Sequence, residues 1–280
     1  MRRVPKPTSN LSDLLRNCIH SIRSVEKKER FELIQDEVIT SATNYDIEGA
    51  AAQLYRILPH DMVGTVTSDE MVALYNEKMA RKGAPGRRVY DLIKITPKFG
   101  ICPLCGVGFV DSLDHYLPKP TFPVFATTPI NLVPSCLRCN KVKLTYIADT
   151  ADKQTIHPYY DDFESEIWLT AEIIEDSPPG VLFYARPPDH WSEIKRERAI
   201  NHLKILQLGT LYASQAGNEF GNLKTILEEL LTKGGSEAVR QHLVSNRVTY
   251  ESNYLNSWQA AFYRALSTSE WFYTTGLRLL

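Results

Sequence analysis

Apolar residues recur at helical spacing through positions 11–58: Leu11, Leu14, Leu15 and Ile22, then Phe31, Ile34 and Val38, then Ala51, Leu54, Tyr55 and Leu58. Pro59 closes that block. Thr67 and Glu70 form a T-x-x-E pair able to cap a helix reciprocally, which predicts a helix from there to Lys82, with Gly83 as its stop. Residues 83–100 are basic and punctuated by Gly and Pro, and the proline-rich stretch 101–146 cannot be one regular element. From 163 to 186 the pattern turns strand-like. Ile167, Trp168, Ile173 and Ile174 precede S-P-P-G, and Val181, Leu182, Phe183 and Tyr184 follow it, which predicts a hairpin turning near Pro178–Gly180. Helices are expected again over 190–208, 210–232, 236–246 and 248–267, with breaks at Gly209 and Gly234–Gly235. The expectation is an α+β protein, mainly helical, with a small mixed module in its middle. Its regions are 1–82 (helical), 83–162 (the module), 163–188 (hairpin) and 189–280 (helical).

The chain has 280 residues, 43% of them apolar, enough for a substantial core. Its 32 Lys and Arg against 33 Asp and Glu give a net charge of −1, which excludes a uniformly basic nucleic-acid coat. The charge is uneven, however. Residues 78–146 hold 11 Lys and Arg against three Asp, a local net of +8. No apolar run reaches the ~18–20 residues of a membrane span, so no membrane is expected as a partner. The opening M-R-R-V-P-K-P-T-S-N has no apolar stretch behind its basic start, so a cytoplasmic location is expected. In a reducing compartment five cysteines read as thiols or metal ligands rather than disulfides.

Cys102 and Cys105 form one C-x-x-C, and Cys136 and Cys139 form a second. Two such knuckles can set four thiolates tetrahedrally around a structural Zn²⁺. Cys18, on a helical face, reads as an ordinary core thiol. Between and just after the knuckles lie Asp114, His115, Asn131, Asn140 and Lys143. An Asp carboxylate and an Asn amide oxygen suit a hard divalent ion that keeps most of its waters. A neutral imidazole beside them can take a proton from water. Side chains alternate along a strand, so His115 is expected to turn away from an ion held by Asp114. Asn140 should open a short helix facing the strand that carries Asp114. Asn131 should tie the intervening loop through its side-chain amide.

The segments C-P-L-C-G, L-D-H-Y-L-P-K, N-L-V-P-S-C and C-N-K-V-K together resemble the HNH, or ββα-metal, endonucleases. The likeness is to the subgroup whose motif lies between two zinc knuckles, as in endonuclease VII-like nucleases and the HNH effectors of Septu-type antiphage systems. It spans about residues 100–146 and implies a zinc-stabilised ββα module. On that resemblance His115 is the general base, and Asp114 and Asn140 are ligands for catalytic Mg²⁺ or Mn²⁺. Asn131 is then the middle motif residue. Double-stranded DNA is the implied substrate. The antiphage relatives imply a separate ATPase subunit, since this chain has no G-x-x-x-x-G-K-[ST]. Arg87, Arg88, Lys119 and Lys143 are the candidate phosphate contacts within the basic stretch. His157, in the polar cluster Ile156–Asp162, reads as structural. The reading that competes with catalysis is a zinc-stabilised nucleic-acid-binding or adaptor protein.

Overall fold

Helix α1 (Leu11–His20) starts where the Asn10 side chain accepts the Asp13 amide at 3.1 Å, and α2 (Val25–Leu33) where Ser24 accepts that of Lys27 at 3.3 Å. With α3 (Gln35–Ala50) these helices bury Leu14, Leu15, Phe31, Val38 and Tyr45. A two-residue hairpin follows, β1 (Met62–Val63) and β2 (Val66–Thr67), turned by Gly64 at φ 53°. The pattern 59–66 gave no sign of it, because two-residue strands carry no periodicity.

The T-x-x-E pair is a true capping box: Thr67 accepts the Glu70 amide at 3.3 Å and Glu70 accepts the Thr67 amide at 3.1 Å. Helix α4 (Ser68–Ala73) then runs on into the wider π winding over Leu74–Ala80, two residues short of the expected end. The basic stretch punctuated by Gly and Pro, for which no element was expected, contains α5 (Arg87–Lys94). Gly86 precedes it at a point where a Cβ would lie 2.9 Å from Cys18 Sγ and from Leu14 Cδ1, so glycine lets α5 start against α1.

The middle of the chain forms the antiparallel pair β3 (Ser112–His115) and β4 (Leu132–Ser135), followed directly by α6 (Leu137–Lys143). In register, Ser112 faces Ser135, Asp114 faces Val133 and His115 faces Leu132. Helix α6 packs on β3.

The second hairpin is β5 (Leu169–Ile174) and β6 (Gly180–Ala185), paired from Leu169–Ala185 to Ile174–Gly180 around the expected turn. The helices after it are α7 (Glu193–Ile205), α8 (Leu208–Asn253), α9 (Trp258–Thr268) and α10 (Glu270–Thr274). The first break falls at Gln207, with φ 49°, rather than at Gly209. Helix α8 is interrupted at Gly235, with φ 69°. No break occurs near 247; the chain stays helical to Asn253 and restarts at the Ser257 cap. Asn256 in that gap anchors the hairpin, accepting the amides of Trp168 at 2.9 Å and Leu169 at 3.2 Å.

This computed structural model describes residues 2–280. The architecture is α+β and mostly helical, with small antiparallel hairpins. The four expected regions gather into two compact units, Arg2–Asp161 and Asp162–Leu280. In the first, the N-terminal helices and the cysteine module share one core, as the Tyr45 and Phe125 rings show at 5.1 Å. In the second, β5 packs on α9 and β6 on α8. No described helix is long and apolar enough to cross a membrane.

Candidate functional site

The first knuckle is built on backbone bonds. Gly106 donates to the Cys102 carbonyl at 2.8 Å, Cys102 donates to that of Gly108 at 2.7 Å, and the Gly108 amide points at Cys105 Sγ at 3.4 Å. The second knuckle doubles as a helix start, since Cys136 Sγ caps α6 by accepting the Cys139 amide at 3.4 Å. All four cysteines are buried free thiols, and their sulfurs lie within 4.8 Å of one another. A tetrahedron with Zn–S bonds of about 2.3 Å has edges of about 3.8 Å. Cys105 and Cys136 Sγ stand 3.9 Å apart, so the residues present fit a zinc ion. Mutual hydrogen bonding, that with Cys102 foremost, holds the Cys105 thiol far below the ordinary range and Cys139 above it. A bound cation would let all four ionise together. Gly108 is obligatory here, because a Cβ would come within 2.8 Å of Cys136 Cβ.

Beyond the cluster, Asp114 and His115 are consecutive residues of β3 with different partners. Asp114 meets α6: its Oδ2 lies 3.0 Å from Lys143 Nζ, and both side chains are nearly inaccessible, 4% and 3% exposed. Burial raises the Asp114 carboxyl above its usual range, opposed by Lys143. His115 Nε2 lies 2.8 Å from the Ala126 carbonyl. A carbonyl can only accept, so Nε2 carries the hydrogen and the lone pair of the neutral ring is on Nδ1. Burial, then the Lys119 charge, pushes the His115 pKa down to about 3, so the ring is neutral at pH 7. The Tyr75 ring packs edge-on against it at 4.5 Å.

Asn140, on α6, donates its amide N–H to Ser112 Oγ at 3.0 Å and to the Leu113 carbonyl at 3.4 Å, leaving Oδ1 as an uncommitted oxygen donor. Asp114, His115 and Asn140 line one cleft of about 160 Å³, together with Lys119, Pro118 and Thr145. The donors are hard oxygens of the kind Mg²⁺ or Mn²⁺ takes. Asn131, wholly buried, is a brace: Oδ1 accepts the Leu117 amide at 2.8 Å, and Nδ2 donates to the carbonyls of Leu117 at 3.0 Å and Phe125 at 3.2 Å.

The candidate phosphate contacts divide. Lys143 is corrected: it is sealed between Asp114 and the His115 carbonyl, to which it donates at 2.8 Å, and cannot reach an outside phosphate as it stands. Arg87 is held within its own surroundings by Asp91 at 2.9 Å and the Ala80 carbonyl, with its guanidinium 4.5 Å from the Tyr90 ring centre. Lys119 is half-buried at the cleft, 3.0 Å from Asn76 Oδ1 and over the Tyr75 ring. Arg88 is exposed. His157 is enclosed by Tyr45, whose hydroxyl lies 3.2 Å from Nε2, and by the Tyr159 amide, which donates to Nδ1 at 3.2 Å. Tyr75 and Ser112 went unnoticed in the sequence. Tyr75 stands on the π-wound stretch, which leaves no mark in residue order.

A buried four-thiol cluster, a β–β–α ribbon and a polar cleft on that ribbon thus define the first unit's chemistry. The whole chain is similar to protein ea31 of Escherichia phage lambda, 29% identical over 296 aligned positions that cover 98% of this chain and 99% of the phage protein. No family model and no solved structure matches the chain.

Proposed function

We propose that this chain is an HNH-type, metal-dependent endonuclease that hydrolyses phosphodiester bonds of DNA, with a structural zinc at Cys102, Cys105, Cys136 and Cys139. The observation that carries the reading is the meeting of Asp114, His115 and Asn140 on one cleft, with a neutral His115 whose Nδ1 is the open nitrogen. Asp114 and Asn140 Oδ1 would hold Mg²⁺ or Mn²⁺, which supplies charge neutralisation at the departing 3′-oxygen when bound. His115 Nδ1 takes the proton of the attacking water, while Ala126 fixes the ring's orientation from behind. The anionic phosphodiester beside the ring raises its basicity from the depressed resting value. Asn131 ties Leu117 and Phe125 of the 117–131 loop, whose Ala126 carbonyl meets the His115 ring, and Lys119 offers a cation on the cleft.

One observation favours the non-catalytic reading: Lys143 already satisfies Asp114 without any metal. Plasmid nicking with Mg²⁺, repeated in chelator, separates the two. Catalysis predicts nicking that chelator abolishes, and intact plasmid throughout would support an adaptor. The proposed separate ATPase subunit rests on the resemblance alone. Co-expression with an ATPase from a neighbouring gene tests it by size exclusion, where two separate peaks would count against a complex. Likeness to a phage protein gives an antiphage role no added support.

A further inference from the structure

The geometry points to Lys143 as a resident cation that keeps the cleft's affinity for a free divalent ion low, so that metal is taken up together with the phosphodiester. This rests on the nuclease reading above. Asn140 and Lys143 are three residues apart and share one face of α6. From that face they hold all four residues of β3: Asn140 on Ser112 and Leu113, Lys143 on Asp114 and on the His115 carbonyl. The lysine is therefore fixed on both sides, by a carboxylate 3.0 Å away and a carbonyl 2.8 Å away, with its side chain 3% exposed. A buried pair of this kind is seldom favoured over apolar residues of equal volume. Its presence on a cleft-lining carboxylate calls for a role at the cleft.

The charge count supplies that role. Asp114 is the one acidic side chain lining the cleft among the described residues, and Lys143 already neutralises it, with Lys119 adding a further cation. A dication arriving alone meets a site with no net negative charge to offer. A phosphodiester arriving with it brings the missing charge. An ion about 2.1 Å from Asp114 Oδ2 lies no more than about 5 Å from Lys143 Nζ, and one unit charge at that distance shifts a dication's affinity by about tenfold or more even at the dielectric of water. Lys143 is thus a positioning residue acting through Asp114.

The test is Mn²⁺ binding to the zinc-loaded full chain without nucleic acid, read from the electron paramagnetic resonance signal of free Mn²⁺. Lys143→Gln removes the charge while keeping a donor for the His115 carbonyl, and should tighten Mn²⁺ binding about tenfold or more. Lys143→Arg should stay within about twofold of the parent. Adding Asp114→Asn to Lys143→Gln should erase the gain, placing it at this carboxylate. A Lys143→Gln affinity within twofold of the parent, at unchanged melting and zinc content, overturns the inference and leaves the nuclease reading standing. A second measurement needs no variant. The unaltered chain should bind Mn²⁺ about tenfold or more tightly with a phosphorothioate DNA duplex present, after subtracting ions bound by the duplex alone, and equal affinities overturn the inference. No Mn²⁺ binding by any form, with or without duplex, removes the nuclease reading and this inference together.

Discussion

Replacing Cys136 and Cys139 together by Ser tests whether a metal staples the module. Ser is a strong helix-capping residue, so position 136 can still accept the amide at 139 and start α6. The substitution therefore removes the metal bridge with little direct damage to the helix. Cys105 and Cys136 are 31 residues apart in sequence, and a metal held by both closes that loop. Treated as a cross-link, closing such a loop is worth about 3.7 kcal/mol at 25 °C. The first unit spans Arg2–Asp161. At about 2.1 cal/mol/K of unfolding entropy per residue, a loss of that size lowers its melting temperature by about 11 °C. The assay is a calorimetric melt paired with zinc analysis. The parent should carry one zinc per chain and the double variant none, with the drop in melting confined to the first unit's transition. A double variant melting within about 2 °C of the parent, or a parent without zinc, would refute the staple.

Asn131→Ala strips three backbone groups of their partners and should cost about 2–4 kcal/mol in urea unfolding, so a loss below about 0.5 kcal/mol would deny Asn131 its bracing role. Glu70 is held down to about 2 chiefly by hydrogen bonds from Arg30, at 2.9 and 2.5 Å. A depressed carboxyl stabilises the fold above its unfolded value near 4.5 and loses that contribution as pH falls toward 2. Glu70→Gln should therefore flatten the acid limb of the pH–stability curve, whereas an unchanged limb would contradict the pairing. Arg88, exposed in the basic stretch, should on replacement by Ala reduce the salt dependence of DNA binding by about one unit of slope, and an unaltered slope would remove it from the interface.

What the residue order made legible is what local chemistry decides. Four thiols at doubled C-x-x-C spacing foretold a cluster now seen with sulfurs within 4.8 Å of one another. The T-x-x-E pair foretold its own hydrogen bonds, and S-P-P-G placed the turn of the β5–β6 hairpin. Asn131 behaves as the expected brace because an amide in a tight loop has few other uses. Tertiary contacts decided the rest. Helix α5 hides in a Gly- and Arg-rich stretch because its two core positions, Tyr90 and Ile93, make less than one turn of pattern. Lys143 looked like a surface cation, as lysines usually are. Its burial follows from Asp114 standing opposite on β3, a pairing 29 residues away in sequence that no local rule reads.

The most direct test of the account is His115→Gln in the plasmid-nicking assay. Gln can keep the hydrogen bond to the Ala126 carbonyl, now 2.8 Å from Nε2, while removing the lone pair that would accept the water's proton. Mg²⁺-dependent nicking should disappear while zinc content and melting temperature stay at parental values. Parental nicking by a clean His115→Gln preparation would contradict it.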